Sequence, residues 1–131
     1  MVSFGAFVME GDSPIYFQIV RFVKRSLAAG TVLDGEEMPS RRVLSALLGV
    51  NPNTVQKAYR LLEEEGLIVS HAGAKSYVTA PPERLAAVRS QLVEEDARRL
   101  VAALRQTGLS RREALELVER LWKQEEGGTG E

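Results

Sequence analysis

From Met38 to Val78 the chain reads MPSRRVLSALLGVNPNTVQKAYRLLEEEGLIVSHAGAKSYV: two short helix-forming runs parted by a glycine, then two apolar runs around another glycine. Ser40 behind Pro39 is a good N-cap, so a helix begins there and is expected to bury Val43, Leu44, Leu47 and Leu48 before Gly49 ends it. Asn51 followed by Pro52 starts the next helix, because proline at the first helical position gives up an N–H that has no partner there anyway. Val55, Ala58, Tyr59 and Leu62 then recur at i, i+3, i+4 and i+7 and form one apolar stripe. Asn53, Thr54, Gln56, Lys57 and Arg60 are left to project elsewhere. Gly66 closes this helix, and Leu67–His71 with Ser76–Thr79 predicts a hairpin around Gly73. Two helices joined by a tight turn and followed by a hairpin make a helix-turn-helix with a wing. A polar face at the start of the second helix suits the major groove, where base edges present donors and acceptors.

A first helix is expected over about residues 14–29, with Asp12 or Ser13 as cap and Tyr16, Ile19, Val20, Val23 and Leu27 at helical spacing, ending at Gly30. Residues 1–13 are read as an N-terminal extension. Pro81–Pro82 marks the boundary after a winged domain of residues 14–80. Beyond it, one helix is expected from about Glu83 to Gln106 and a last one from the capping box Ser110–Glu113, carrying Leu117, Val118, Leu121 and Trp122. Residues 125–131 are Gly-rich and acidic and read as a disordered tail. The expected fold is thus mainly α with a small β wing, completed by a C-terminal pair of helices over residues 81–124.

Composition excludes several function classes. The 131 residues contain no cysteine, so there is no disulfide framework, thiolate metal site or Cys nucleophile. No apolar run approaches the ~20 residues of a membrane helix, and the start has no basic region or cleavage site of a signal peptide; a cytoplasmic protein is expected. No catalytic grouping, phosphate-cradling loop or paired metal-ligand spacing is present, and His71, the single histidine, has no carboxylate pair at ligand spacing. The formal net charge of −1 tells less than its distribution. Residues 14–80 carry a slight basic excess, and Arg41, Arg42, Lys57, Arg60 and Lys75 all fall in the expected reading elements, whereas the acids Glu63–Glu65 lie at the far end of the second helix.

These residues resemble the GntR-type winged-helix repressors, in particular their short YtrA-like branch. The family's "PIYxQI" helix stands here as Pro14–Ile19, its "LPSxRxLA" segment as Met38–Ser45, and its "GVNxxTVxxAYxxLExEGLI" signature as Gly49–Ile68. Two positions depart: Lys75 replaces the second glycine of a "GxGTFV" wing, and Val43 stands where an acid commonly follows the arginine. The resemblance implies a homodimer that reads an inverted repeat in double-stranded DNA, represses an adjacent operon (often a transporter's) and dimerises through the two C-terminal helices.

Candidate DNA contacts follow. Arg42 matches the family arginine that touches DNA, and a guanidinium there can fork onto phosphate or guanine; Arg41 has no motif behind it. Ser40 can reach a phosphate, although capping explains it fully. Asn51 is likewise an ideal N-cap, whereas Asn53, Thr54, Gln56 and Lys57 are not needed for helix stability. Arg60, one turn on, can reach phosphate. Gly73 and Lys75 mark a wing tip that can straddle the minor groove, or an ordinary hairpin. Tyr59 is read as core. The C-terminal leucines and valines can cover the winged domain or pair with a second chain, and Trp122 can pack within the protomer. An isolated helical pair buries little, so self-association is the more economical use of Leu85, Val88, Leu92, Leu100, Leu104, Leu117, Leu121 and Trp122. A small-molecule effector at the interface stays open, and its identity is not written in the sequence. Two rival readings remain: a winged-helix module for protein partners, and a ligand-gated multidrug sensor.

Overall fold

The computed structural model describes residues 1–71 and 75–129. Seven elements follow in order: α1 (Ile15–Ala29), α2 (Arg41–Leu48), α3 (Pro52–Glu64), β1 (Ile68–His71), β2 (Lys75–Val78), α4 (Pro82–Gln106) and α5 (Arg111–Thr129). The chain divides into two compact units, Met1–Leu92 and Val93–Glu131.

The first unit is built on the two stripes anticipated from spacing. Ile19, Val23 and Leu27 of α1 meet Val55, Ala58, Tyr59 and Leu62 of α3, each of them 2% exposed or less. Two helices crossing through such a stripe bury most of what holds a small domain together. Helix α2 adds Leu44, also wholly buried, while Val43 and Leu47 are 54% and 64% exposed, contrary to expectation. An eight-residue helix turns only one narrow face inward. That face carries Leu44, Ser45 and Leu48, so Val43 and Leu47, one step before each leucine, look out.

Strands β1 and β2 pair antiparallel, with Ile68 opposite Val78 and His71 opposite Lys75. The connector after α1 supplies a third partner. Gly35 N–H donates to the Val78 carbonyl and Val78 N–H to the Glu36 carbonyl, both at 2.8 Å, and Glu37 bridges Tyr77. The N-terminal stretch is likewise part of the domain, not an extension from it. Val2 N–H donates to the Glu37 carbonyl at 2.9 Å, Val2 and Phe4 are 4% exposed, and the Phe4, Phe7 and Phe22 rings cluster at 5.1–6.2 Å. The alternation of Val2 and Phe4 is the sequence signal for this, too brief to stand out beside helical patterns.

Helix α4 begins in the first unit. Val88 and Leu92 are buried in its core, Arg84 donates to the Gly66 carbonyl, and Arg89 Nη2 donates to the Ala28 carbonyl at 3.0 Å. Both guanidiniums thereby meet carbonyls left over at the C-terminal ends of helices, where a cation is favoured. Compaction therefore changes at Leu92, not at the prolines 81 and 82. In the second unit the Ser110–Glu113 capping box forms as expected: Glu113 N–H donates to Ser110 Oγ at 3.2 Å and Ser110 N–H to Glu113 Oε1 at 3.0 Å. Helix α5 continues to Thr129, into the stretch read as a disordered tail.

Candidate nucleic-acid interface

The turn between α2 and α3 is fastened from both sides. Ser40 Oγ accepts from Val43 N–H at 3.1 Å, and Asn51 Oδ1 accepts from Asn53 N–H at 2.7 Å, so both residues act as caps. Gly49 takes φ +68° at the end of α2, a left-handed conformation that glycine adopts without a Cβ clash. Ser45 Oγ donates to the Val50 carbonyl at 2.6 Å, and the Val50 amide returns to the Ser45 carbonyl at 3.1 Å. These bonds leave the reading helix little freedom at its start.

On α3 the buried stripe has a complement. Asn53, Gln56, Lys57 and Arg60 repeat the same i, i+3, i+4, i+7 spacing two residues out of phase, which puts them on the opposite side of the helix, and all four are exposed. Thr54, between the stripes, is half-buried. Lys57 Nζ lies 4.0 Å from the centroid of the Tyr16 ring on α1, a cation–π contact that holds the ammonium near the surface of α3 without neutralising it. Arg42 is exposed in the first turn of α2, and Lys75 is exposed at the start of β2. Among the described residues, Arg42, Arg60 and Lys75 enter no ion pair. A row of amide and cationic donors on α3, with further exposed cations on α2 and β2, is chemistry suited to phosphates and base edges. Gly73 lies outside the described residues. His71 stacks edge-on to Tyr77 at 5.2 Å.

Arg41, the neighbour of Arg42, is placed differently. Its guanidinium pairs with Glu63 at 3.2 Å and lies 5.1 Å from the Tyr59 ring centroid. Sequence reasoning passed over Glu63 because a run of three glutamates at a helix end reads as solvated surface; its partners are distant in the chain. Tyr59 is core as expected, and its hydroxyl donates to the Pro39 carbonyl at 2.6 Å. Burial holds that phenol protonated well above its ordinary range, with Arg41 pulling in the other direction.

Of the residues expected at a subunit interface, Val88 and Leu92 are buried within the chain and Leu85 packs against the same core. A side chain enclosed by its own domain has no surface to offer a partner. Leu104 and Leu117 are half-buried, while Leu100, Leu121 and Trp122 are 47%, 48% and 67% exposed. Leu100 and Leu104 line a groove of about 580 Å³ with Val101, Leu109, Ala114 and Val118, and Arg105 and Arg111 stand among its walls.

The family described as bacterial regulatory proteins, gntR family, matches residues 15–78. The chain is 29% identical over 120 residues to the HTH-type transcriptional repressor YtrA of Bacillus subtilis (strain 168), across 91% of this chain and 92% of that one. A solved GntR family transcriptional regulator from Listeria monocytogenes aligns with a TM-score of 0.76 at 27% identity, covering 86% of this chain and 98% of the other. AraR(DBD), solved in complex with operator ORX1, aligns with a TM-score of 0.50 at 25% identity, covering 55% of this chain and 93% of that one. The chain belongs to the gntR family of bacterial regulatory proteins and is a DNA-binding transcriptional regulator.

Proposed function

We propose that the chain is a homodimeric repressor of the operon beside which it is encoded, such as a transporter's, reading an inverted-repeat operator in double-stranded DNA. The observation that carries this is the exposed stripe Asn53, Gln56, Lys57 and Arg60 on α3; the exposed cations Arg42 on α2 and Lys75 on β2 support it. In this reading α3 enters the major groove, Arg42 and Arg60 take phosphates, and Lys75 meets the backbone beside the wing. Two-fold symmetry follows from the second unit, whose exposed Leu100, Leu121 and Trp122 lose least by facing a second copy. Among the described residues no helix is long and apolar enough to cross a membrane, and we place the protein with its DNA in the cytoplasm.

The test is fluorescence anisotropy against the DNA upstream of the chain's own operon, at several salt concentrations and with a scrambled duplex as control. Selective binding that weakens steeply with salt supports a phosphate-anchored reader. Absence of binding at low salt to either duplex rejects it in favour of a protein-interaction module. A second reading, a regulator gated by a small effector, draws on the groove of about 580 Å³. Arg105 and Arg111 in its walls disfavour the hydrophobic cations of a multidrug sensor and favour neutral or anionic apolar molecules. Enhanced emission of anilinonaphthalene sulfonate, suppressed by Leu104→Arg, would support such a site, and no emission change would reject it.

A further inference from the structure

Of the triplet Glu63–Glu65, Glu63 occupies a junction. A single carboxylate oxygen, Oε1, accepts from Arg41 Nη2 at 3.2 Å and from Ser70 Oγ at 2.6 Å. Ser70 Oγ is in turn 3.2 Å from Ser76 Oγ, so the contact reaches both strands of the wing. In the other direction the Arg41 guanidinium lies against the ring of Tyr59, whose hydroxyl holds the Pro39 carbonyl. The Met38 amide then donates to the Ser76 carbonyl at 2.8 Å. The contacts thus close a ring through the segment before α2, the second half of α3 and both strands of the wing.

We propose that Glu63 is a positioning residue for DNA reading: it pins the wing to α3 and keeps Arg41 off the DNA backbone. The proposal rests on the DNA-reading function above. Arg41 Nε is buried with no hydrogen-bond partner among the described residues, so the carboxylate and the ring face are what keep the guanidinium inward. With the carboxylate removed, a half-buried cation without its counter-charge gains by turning to solvent. There it joins Arg42 at the start of α2 as one more charge for phosphate. Two adjacent arginines at a helix start would suggest joint DNA contacts; the geometry gives them opposite duties, one outward and one inward.

The test uses the full chain, a fluorescent mixed-sequence duplex and backbone amide exchange by NMR. Removing Glu63 (Glu63→Ala) is expected to steepen the slope of log K against log salt by about one, the increment for one added phosphate contact. Arg41→Met alone should leave the parent slope unchanged, and Arg41→Met combined with Glu63→Ala should restore it. In the free protein, exchange in β1 and β2 should quicken at least tenfold in Glu63→Ala and in Ser70→Ala, which keeps the ion pair and therefore the slope, but not in Glu64→Ala. A parent slope that drops by about one in Arg41→Met would overturn the withheld arginine. Unchanged wing exchange in both Glu63→Ala and Ser70→Ala would overturn the pin. If no variant binds the duplex even at low salt, the DNA-reading function itself fails, and wing exchange still decides whether Glu63 pins the wing.

Discussion

The hydroxyl of Tyr59 donates to the Pro39 carbonyl at 2.6 Å from a side chain with no exposed surface. Replacing it with phenylalanine leaves that carbonyl unpaired, at a cost of about 1–3 kcal/mol, measurable as a lowered urea midpoint for Tyr59→Phe. The same phenol makes stability depend on alkaline pH. Its pKa is raised in the fold, chiefly by burial, so the unfolded chain gives up its proton first, near the ordinary value of about 10. The contribution is therefore complete below about pH 10 and declines as pH rises beyond it; the decline should be smaller in Tyr59→Phe. Arg42 illustrates the opposite kind of residue, exposed and with no ion pair among the described residues. Its alanine variant should keep the thermal midpoint of the parent, lose affinity for operator and scrambled duplex alike, and lower the salt slope by about one, read by anisotropy. Equal loss of midpoint and affinity would mark Arg42 as structural instead.

Among the elements, α2 and α5 were anticipated by different kinds of signal. The Ser110–Glu113 box is local, four residues that satisfy each other's backbone, and it was legible from spacing alone. The Ser110 amide, then its hydroxyl, lower the Glu113 pKa, so this support is present above the usual glutamate range and is lost as pH falls through the lowered value. Ellipticity of the parent should decline on acidification below about pH 4 more than that of Glu113→Gln. Helix α2 was legible in its caps and misread in its faces, since Val43 and Leu47 point to solvent. Accordingly Leu47→Ser should shift stability by no more than about 0.5 kcal/mol, whereas Leu44→Ala, in the core, should cost about 2–5 kcal/mol. Chemical unfolding of the two variants separates the faces directly.

At the scale of the whole molecule, α4 belongs to two compact units, with Val88 and Leu92 committed to the first and Leu100 exposed in the second. If the second unit pairs with a second copy, Leu100→Glu should sediment as a monomer with the winged unit still folded. Val88→Glu should instead lose the winged fold, because an unpaired charge would replace a core side chain. The chain's own order of residues determined the helices, the caps at Ser40, Asn51 and Ser110, the turn at Gly49, the wing and the polar stripe on α3. Each of these depends on neighbours within a few positions, where periodicity and capping chemistry act. The cap expected at Asp12 or Ser13 did not form, and α1 starts behind Pro14 with no side-chain cap bond. Only the tertiary structure decided that Val2 and Phe4 complete the core, that the connector at Glu36–Met38 pairs with the wing, and that Val88 is buried within its own chain. It also separated Arg41 from Arg42. Deciding partners such as Glu37 for Val2, Ser76 for Met38 and Glu63 for Arg41 lie more than twenty residues away. A contact of that reach leaves no period in the sequence.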